Sequence, residues 1–366
     1  MRLLLAGGGT GGHLFPAVAL AQRLMATDAG AKVLFVGTRR GIEARVLPEL
    51  GLPLETVKIR GLVGQGLRGK LRLPFQLAGS MRQAARILDR FKPDVVLGVG
   101  GYASGPALLA AKLKGIPCVI HEQNAWPGLT NRLLARWAER VCLSFSEADR
   151  AFNRGRTILT GNPLRSGMED CPPLPADNLT LLVFGGSRGA RAINRAVVGA
   201  LPHLSAFRGR LRIHHQTGEA DLKEVQDGYR QAGWEDAEVV AFIHDMAAAY
   251  ARSHLVICRA GATTLAELTV CGRPAILIPY PHAAADHQTA NALMLSRRGA
   301  GLLLPQSDLT SECLARMAGD LLQDRTRLMS MAGVARSLAK RGAADLILNE
   351  CRRLAERRAS AAAAGE

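Results

Sequence analysis

Two stretches of this chain share one pattern, and that pattern restricts the fold more than any other feature. "LLLAGGGTGGH" (residues 3–13) and "LLVFGGSRGA" (181–190) each run from an aliphatic strand through a glycine cluster into a helix start. They begin 178 residues apart, which two Rossmann-like domains in tandem explain more simply than one long sheet. The intervals fit. Apolar runs Leu3–Ala6, Val33–Val36, Val95–Val99, Val119–His121 and, more weakly, Val141–Leu143 alternate with helical patterns near 14–27, 75–90, 105–114 and 128–138. The second half repeats the style with Leu181–Phe184, Ile213–Gln216, Val239–Phe242, Leu255–Ile257 and Ala275–Ile278. Such alternation predicts an α/β protein whose parallel sheets carry helices on both faces. A length of 366 residues suits two such domains, each with a full core.

The boundaries expected are 1–161 for the first domain and 166–341 for the second, joined at "TGNPLRSG" (160–167). Residues 335–358 read as one last helix, with 342–358 packing back on the first domain, and the tail "SAAAAGE" as frayed. Seven scattered cysteines, with no C-x-x-C and no Cys/His cluster, suggest free thiols in a reducing compartment and no metal site. The apolar run before the glycines is too short for a signal peptide, and no stretch is long enough to span a membrane. The net charge of +16 is lopsided: residues 1–165 hold 24 Lys and Arg against 10 Asp and Glu. Between Glu55 and Asp89 lie Lys58, Arg60, Arg68, Lys70, Arg72, Arg82 and Arg86, with Leu62, Val63, Leu67, Leu71, Leu73 and Phe75 among them and no acid. A solvated basic loop is one reading. Aliphatics set among cations fit an anionic membrane surface better than nucleic acid, for which aromatics are few and no recognition motif is present.

Gly7, Gly9 and Gly12 match G-x-G-x-x-G, the dinucleotide fingerprint, yet the second strand ends in Thr38-Arg39-Arg40 without the acid that holds a ribose. An NADP enzyme stays open on that arginine pair. His13 argues otherwise, because it stands where a pyrophosphate would lie. A helix N-terminus disfavours imidazolium and keeps the ring neutral, able to accept a proton; a histidine that merely caps the turn is the plainer alternative.

The second half carries the better nucleotide site. In "FGGSRGARAIN", Gly185, Gly186 and Gly189 allow close backbone approach, and Ser187 with the helix behind it offers donors to an anion. In "CRAGATTLAELTVCG" (258–272) a strand end, a glycine turn and a helix follow one another, and amides around Ala262–Leu265 would meet a diphosphate. Glu267 lies on the face of Thr263 and is placed to accept ribose hydroxyls, or, more plainly, is a first-turn acid that complements the helix dipole.

"GGTGGH", "GGYASGP", "HEQNAWPGLTNRLL", "TGNPLR", "FGGSRGA", "CRAGATTLAE" and "DHQTANA" occur in this order from residue 3 to about 350. Together they resemble the MurG family, bacterial UDP-N-acetylglucosamine:undecaprenyl-pyrophosphoryl-MurNAc-pentapeptide N-acetylglucosaminyltransferases. Arg188 departs from the usual glutamine and Trp126 from a small or apolar residue. The resemblance implies a glycosyltransferase B fold with the nucleotide sugar in the cleft between domains. The C-terminal domain would bind UDP-N-acetylglucosamine and the N-terminal domain the lipid acceptor, at the cytoplasmic face of the cell membrane. It implies donor contacts from Thr10, Gly11, Gly12, Asn124, Arg165, Ser187, Ile243 (backbone to uracil), Ala262, Thr263, Thr264, Leu265, Ala266, Glu267 (ribose) and Gln288 (sugar hydroxyls). The implied reaction inverts the anomeric carbon as the acceptor's C4 hydroxyl attacks and UDP leaves, with His13 as the candidate base.

No D-x-D occurs, so loop amides, helix N-termini and Arg165 are expected to meet the leaving diphosphate without a cofactor or an obligatory metal. The acceptor's pyrophosphate is expected over the first glycine loop. UDP-N-acetylglucosamine 2-epimerases and other lipid glycosyltransferases share the expected fold, and a non-catalytic UDP-sugar binder is a further alternative.

Overall fold

The computed structural model describes residues 1–59, 67–152, 155–176 and 178–364, without the side chains of 67–75, 284, 362 and 364. Of the basic, aliphatic-studded stretch, Arg60, Leu62 and Val63 therefore lie outside the described residues, as do the side chains from Leu67 to Phe75. The chain forms two compact units, Met1–Arg165 with Gly342–Glu366, and Ser166–Arg341.

In the first unit, strands β1 (Arg2–Gly7), β2 (Lys32–Gly37), β3 (Leu54–Thr56), β4 (Val95–Gly100), β5 (Cys118–Glu122), β6 (Arg140–Leu143) and β7 (Thr157–Leu159) form one parallel sheet in the order 3-2-1-4-5-6-7. Alternate residues of a strand face opposite sides, and the core divides accordingly. Leu3, Leu5, Val33, Phe35, Val95, Leu97 and Val99 join the core beneath helices Gly11–Thr27 and Ala343–Ala364. Leu4, Ala6, Leu34, Val36, Val96 and Ile120 face helices Leu67–Phe91 and Ser104–Leu113. Both faces are covered, which is why these strands read as unbroken apolar runs.

The second unit has β8 (Leu179–Phe184), β9 (Leu211–Gln216), β10 (Glu238–Val240), β11 (Leu255–Cys258), β12 (Ala275–Leu277) and β13 (Gly301–Leu303), again parallel, in the order 10-9-8-11-12-13. In each sheet the strand order reverses direction beside the first strand of the unit, at β1/β4 and at β8/β11. Loops on the carboxyl side of such a point diverge and leave room for a ligand.

Three expectations are corrected. The run 335–358 is not one helix: helix Arg325–Ser337 stops, Gly342 takes φ +68°, and a new helix starts at Ala343. That glycine turns the chain back into the first unit, where buried Ile347, Leu348 and Leu354 are held by about 1.5–3 kcal/mol each. Of the tail expected to fray, the helix runs on to Ala364, in keeping with the helix propensity of alanine, and Gly365 and Glu366 lie outside the described residues. The helix expected over 128–138 is regular only over Leu129–Leu134.

Candidate active site

In the first unit the glycines are needed for a close approach of two loops. A Cβ on Gly7 would lie 2.3 Å from the Gly100 carbonyl oxygen, and one on Gly101, at φ +80°, 2.4 Å from that of Gly8. The loops after β1 and β4 thus interlock. Against them sits a carboxylate that the sequence reading missed: Glu43, 1% exposed. Its Oε2 accepts from the Gly9 N–H at 2.8 Å, and its Oε1 from the Thr38 N–H and hydroxyl at 2.8 and 2.9 Å. A pyrophosphate laid over this loop would find the Gly9 amide taken and an anion behind it. This argues against the dinucleotide reading and narrows the phosphate cradle expected here to the first amides of the helix. Helix Gly11–Thr27 has no side-chain cap on its N-terminus, and Thr10 and Gly12 are exposed there, with Gly11 half-buried between them.

His13, third residue of that helix, is half-buried, and its Nδ1 lies 2.9 Å from Gln123 Oε1. Asn124, next in the chain, is held by the buried Glu122. Glu122 Oε1 accepts the Asn124 N–H at 2.9 Å, and its Oε2 accepts from Gly128 N and Asn131 Nδ2. One carboxylate thereby shapes the whole "HEQNAWPG" turn. The guanidinium carbon of Arg165 lies 4.9 Å from the centroid of the Phe15 ring, on the helix of His13. The Phe15 ring edge is also what a Cβ on Gly11 would meet at 3.1 Å. Thr10, Gly11, Gly12, His13, Asn124 and Arg165 all belong to this unit.

The remaining expected site residues belong to the second unit, at the carboxyl ends of its sheet. The loop 185–189 lies on residues 217–218 so closely that a Cβ on Gly189, at φ +73°, would fall 1.8 Å from the Thr217 oxygen. Gln216, buried and also missed, binds two loops: its Nε2 donates to Gly186 O at 2.9 Å, and its Oε1 accepts from Ile243 N at 2.8 Å. A uracil contact through the Ile243 backbone therefore falls to its carbonyl. Ser187 and Arg188 are exposed.

Helix Ala262–Cys271 begins after Gly261 with no side-chain cap. Leu265 is the residue that bonds back, to Gly261 O at 3.0 Å. The amides ahead of it belong to the first turn, whose donors a helix leaves to outside partners. Glu267 stands in the second turn, 2% exposed, so the first-turn reading is set aside. Its Oε2 accepts from the buried Tyr250 hydroxyl at 3.1 Å. Burial first, and then the carboxylate, push the Tyr250 pKa well up, which keeps that hydroxyl a donor. Asn291 Nδ2 donates to Ala260 O at 3.1 Å and Gln288 Oε1 accepts Tyr280 N at 2.9 Å, fixing helix His287–Ser296 beside the same loop.

Residues 3–143 match the glycosyltransferase family 28 N-terminal domain and residues 180–347 its C-terminal domain. The chain belongs to glycosyltransferase family 28. A UDP-N-acetylglucosamine--N-acetylmuramyl-(pentapeptide) pyrophosphoryl-undecaprenol N-acetylglucosamine transferase of Syntrophotalea carbinolica is 67% identical over 352 residues, 96% of this chain and 98% of that one. A relative of the same name from Geobacter metallireducens is 51% identical over 356 residues, again 96% and 98%. The MurG structure of Acinetobacter baumannii superposes with TM-score 0.78 at 36% identity, over 96% of this chain and 99% of the other. These likenesses bear out the family resemblance read from the seven motifs, and with it the two-domain α/β architecture of the glycosyltransferase B fold. A putative UDP-N-acetylglucosamine 2-epimerase of Listeria monocytogenes shares that fold alone, with TM-score 0.63 at 15% identity over 95% of this chain and 94% of the other.

Proposed function

We propose that this family 28 member transfers N-acetylglucosamine from UDP-N-acetylglucosamine to the C4 hydroxyl of MurNAc in undecaprenyl-pyrophosphoryl-MurNAc-pentapeptide, with inversion, for peptidoglycan synthesis. The observation that carries this reading is 67% identity across 98% of a relative bearing that name. Fold alone would serve an epimerase equally.

In this reading the second unit, 166–341, holds the donor. The loop at Ser187 and the amides of Ala262, Thr263, Thr264, Leu265 and Ala266 take the diphosphate, Ile243 the uracil, Glu267 the ribose and Gln288 the sugar. The first unit, Met1–Arg165 with Gly342–Glu366, takes the acceptor, while its Thr10, Gly11, Gly12, Asn124 and Arg165 complete the donor contacts. His13 removes the proton of the attacking hydroxyl. Charge growing on UDP is met by fixed amide dipoles and by Arg165, so turnover needs no divalent metal.

The acceptor is a lipid, and the first unit offers a surface for a bilayer. Trp126, Leu129, Leu133 and Trp137 are 46–63% exposed at spacings of three and four residues, with exposed Arg132 and Arg136 among them. Such a face suits peripheral contact with anionic lipid at the cytoplasmic face of the membrane. Among the described residues no helix is long and apolar enough to cross one.

The test is UDP release from UDP-N-acetylglucosamine in detergent with chelator, with and without acceptor. Acceptor-dependent release is expected. Equal release without acceptor would replace transfer by hydrolysis or epimerase-like chemistry, and release only after added Mg²⁺ would overturn metal independence. Flotation with vesicles containing anionic lipid is expected to carry the protein, and Leu129→Glu with Leu133→Glu to reduce it.

A further inference from the structure

Among the described residues His13 makes one hydrogen bond through its ring, to Gln123, and what lies behind that bond decides which nitrogen can act as a base. Its partner, Gln123, is 1% exposed and turns its Nε2 toward two carbonyl oxygens, Val99 at 3.0 Å and His121 at 3.2 Å. Carbonyls accept only, so that end of the side chain is the NH₂ group, and the oxygen is the end that faces His13. A carbonyl oxygen 2.9 Å from Nδ1 in turn requires a proton on Nδ1, and the lone pair is left on Nε2.

The same argument continues inward. His121 is fully buried, and its Nε2 lies 3.2 Å from the Gly161 carbonyl, so Nε2 carries the proton and Nδ1 accepts from Gln123 Nε2 at 3.1 Å. Ser144 Oγ also lies 3.1 Å from Nε2. Burial pushes the His121 pKa down to about 4, so the ring stays neutral and its acceptor is preserved.

We propose that Gln123, backed by His121, is a positioning residue that holds His13 as the Nδ1–H tautomer with Nε2 bare. The inference rests on His13 as the base, and adds that its orienting partner is a neutral amide rather than a carboxylate. An amide fixes the tautomer without the strong stabilisation of imidazolium that a carboxylate gives.

The experiment is ¹⁵N NMR of the histidine rings in the full chain, with the His13 signals assigned by their loss in His13→Ala. The unsubstituted protein should show Nδ1 protonated and Nε2 bare; a proton on Nε2 would overturn the proposal without any further variant. Gln123→Leu should then mix the two tautomers and lower kcat on the order of 10- to 100-fold, the range seen when a ligating histidine loses its outer partner, with both KM values unchanged. An unchanged His13 spectrum in Gln123→Leu would also overturn it. Mixed tautomers with full kcat would leave the positioning intact and remove His13 as the base.

Discussion

The two units share one plan, a parallel sheet with a glycine loop where the strand order reverses, yet they differ in what stands behind the loop. In the first unit it is the carboxylate of Glu43, bonded to Gly9 N at 2.8 Å. In the second it is the neutral amide of Gln216, bonded to Gly186 O at 2.9 Å. A buried anion repels phosphate; an amide does not. The first loop is therefore suited to carry a proton acceptor, His13, and the second to carry a nucleotide. In the proposed reading the same backbone pattern serves a base in one unit and an anion cradle in the other, and the difference comes from one side chain in each unit, Glu43 and Gln216, that neither glycine motif contains.

The strongest way to break this division is His13→Ala. A positioned base contributes about 10²–10⁴-fold, so turnover should fall by that factor while UDP-N-acetylglucosamine titrates as before. Lost donor binding would show that the His13 ring itself holds the nucleotide sugar, and near-normal turnover would remove His13 from the chemistry. Glu43→Ala tests the other half. It leaves three donors, Gly9 N, Thr38 N and Thr38 Oγ1, without their buried acceptor. Gly9 is exposed and Thr38 half-buried, so water meets part of the loss, which should still reach about 1–3 kcal/mol in urea unfolding of the first unit. Stability within 0.5 kcal/mol (roughly the noise of surface substitutions) would mean that water replaces the carboxylate and the loop is not sealed.

Each unit also buries a neutral histidine, and this sharpens the comparison through pH. In the second unit His215 is fully buried, 3.1 Å from both Tyr229 Oη and Asn194 Oδ1, and burial pushes its pKa down to about 3. In the first, His121 is pushed down to about 4. Both sit below the unfolded value near 6.5, so the unfolded chain takes up protons that the folded chain refuses. The stability they contribute is full above pH 6.5 and declines as pH falls toward the folded values. Between pH 6.5 and 4.5 each contributes a decline of about 2–3 kcal/mol at 1.4 kcal/mol per pH unit. Denaturant unfolding at several pH values should therefore show a shallower acid limb in His215→Asn. An unaltered slope would mean that this histidine titrates normally.

How much of this was legible in the sequence follows from the kind of signal each part leaves. Strands buried on both faces leave long apolar runs, so β1, β2, β4, β5, β8, β9 and β11 were found. Of the sheet edges, β3, β7 and β13 are three residues long and were not read, while β10, equally short, was expected as Val239–Phe242. His13 and the helix at Ala262 stood out because a histidine and an uncapped glycine turn at a helix start are unusual on their own. Glu43 and Gln216 did not, because their role depends on contacts across 34 and 27–30 residues that no local pattern encodes. Gln123 lay inside a motif that was read, but sequence cannot say which end of an amide faces a ring. Tyr250 was hidden as one more apolar residue of the short helix Met246–Arg252.

Tyr250 supplies the smallest effect and the finest test of the second unit. Its hydroxyl donates to Glu267 Oε2 at 3.1 Å, and its ring meets Phe184 edge-on at 6.1 Å between centroids. Tyr250→Phe keeps the ring and its packing and removes only the donor. If Glu267 holds the ribose, that donor aims the carboxylate at the sugar, and losing it should weaken UDP-N-acetylglucosamine by about 3- to 10-fold, or about 1 kcal/mol. kcat at saturating donor should stay within roughly twofold, because the bond acts on bound and reacting donor alike. A donor analogue without the ribose 2′-hydroxyl completes the measurement. The preference for the natural donor over this analogue should shrink in Tyr250→Phe, because a loosely aimed carboxylate gains less from the second hydroxyl. If affinity falls equally for both donors, the Tyr250–Glu267 pair supports the helix of residues 262–271 as a whole, and the ribose is read by another group.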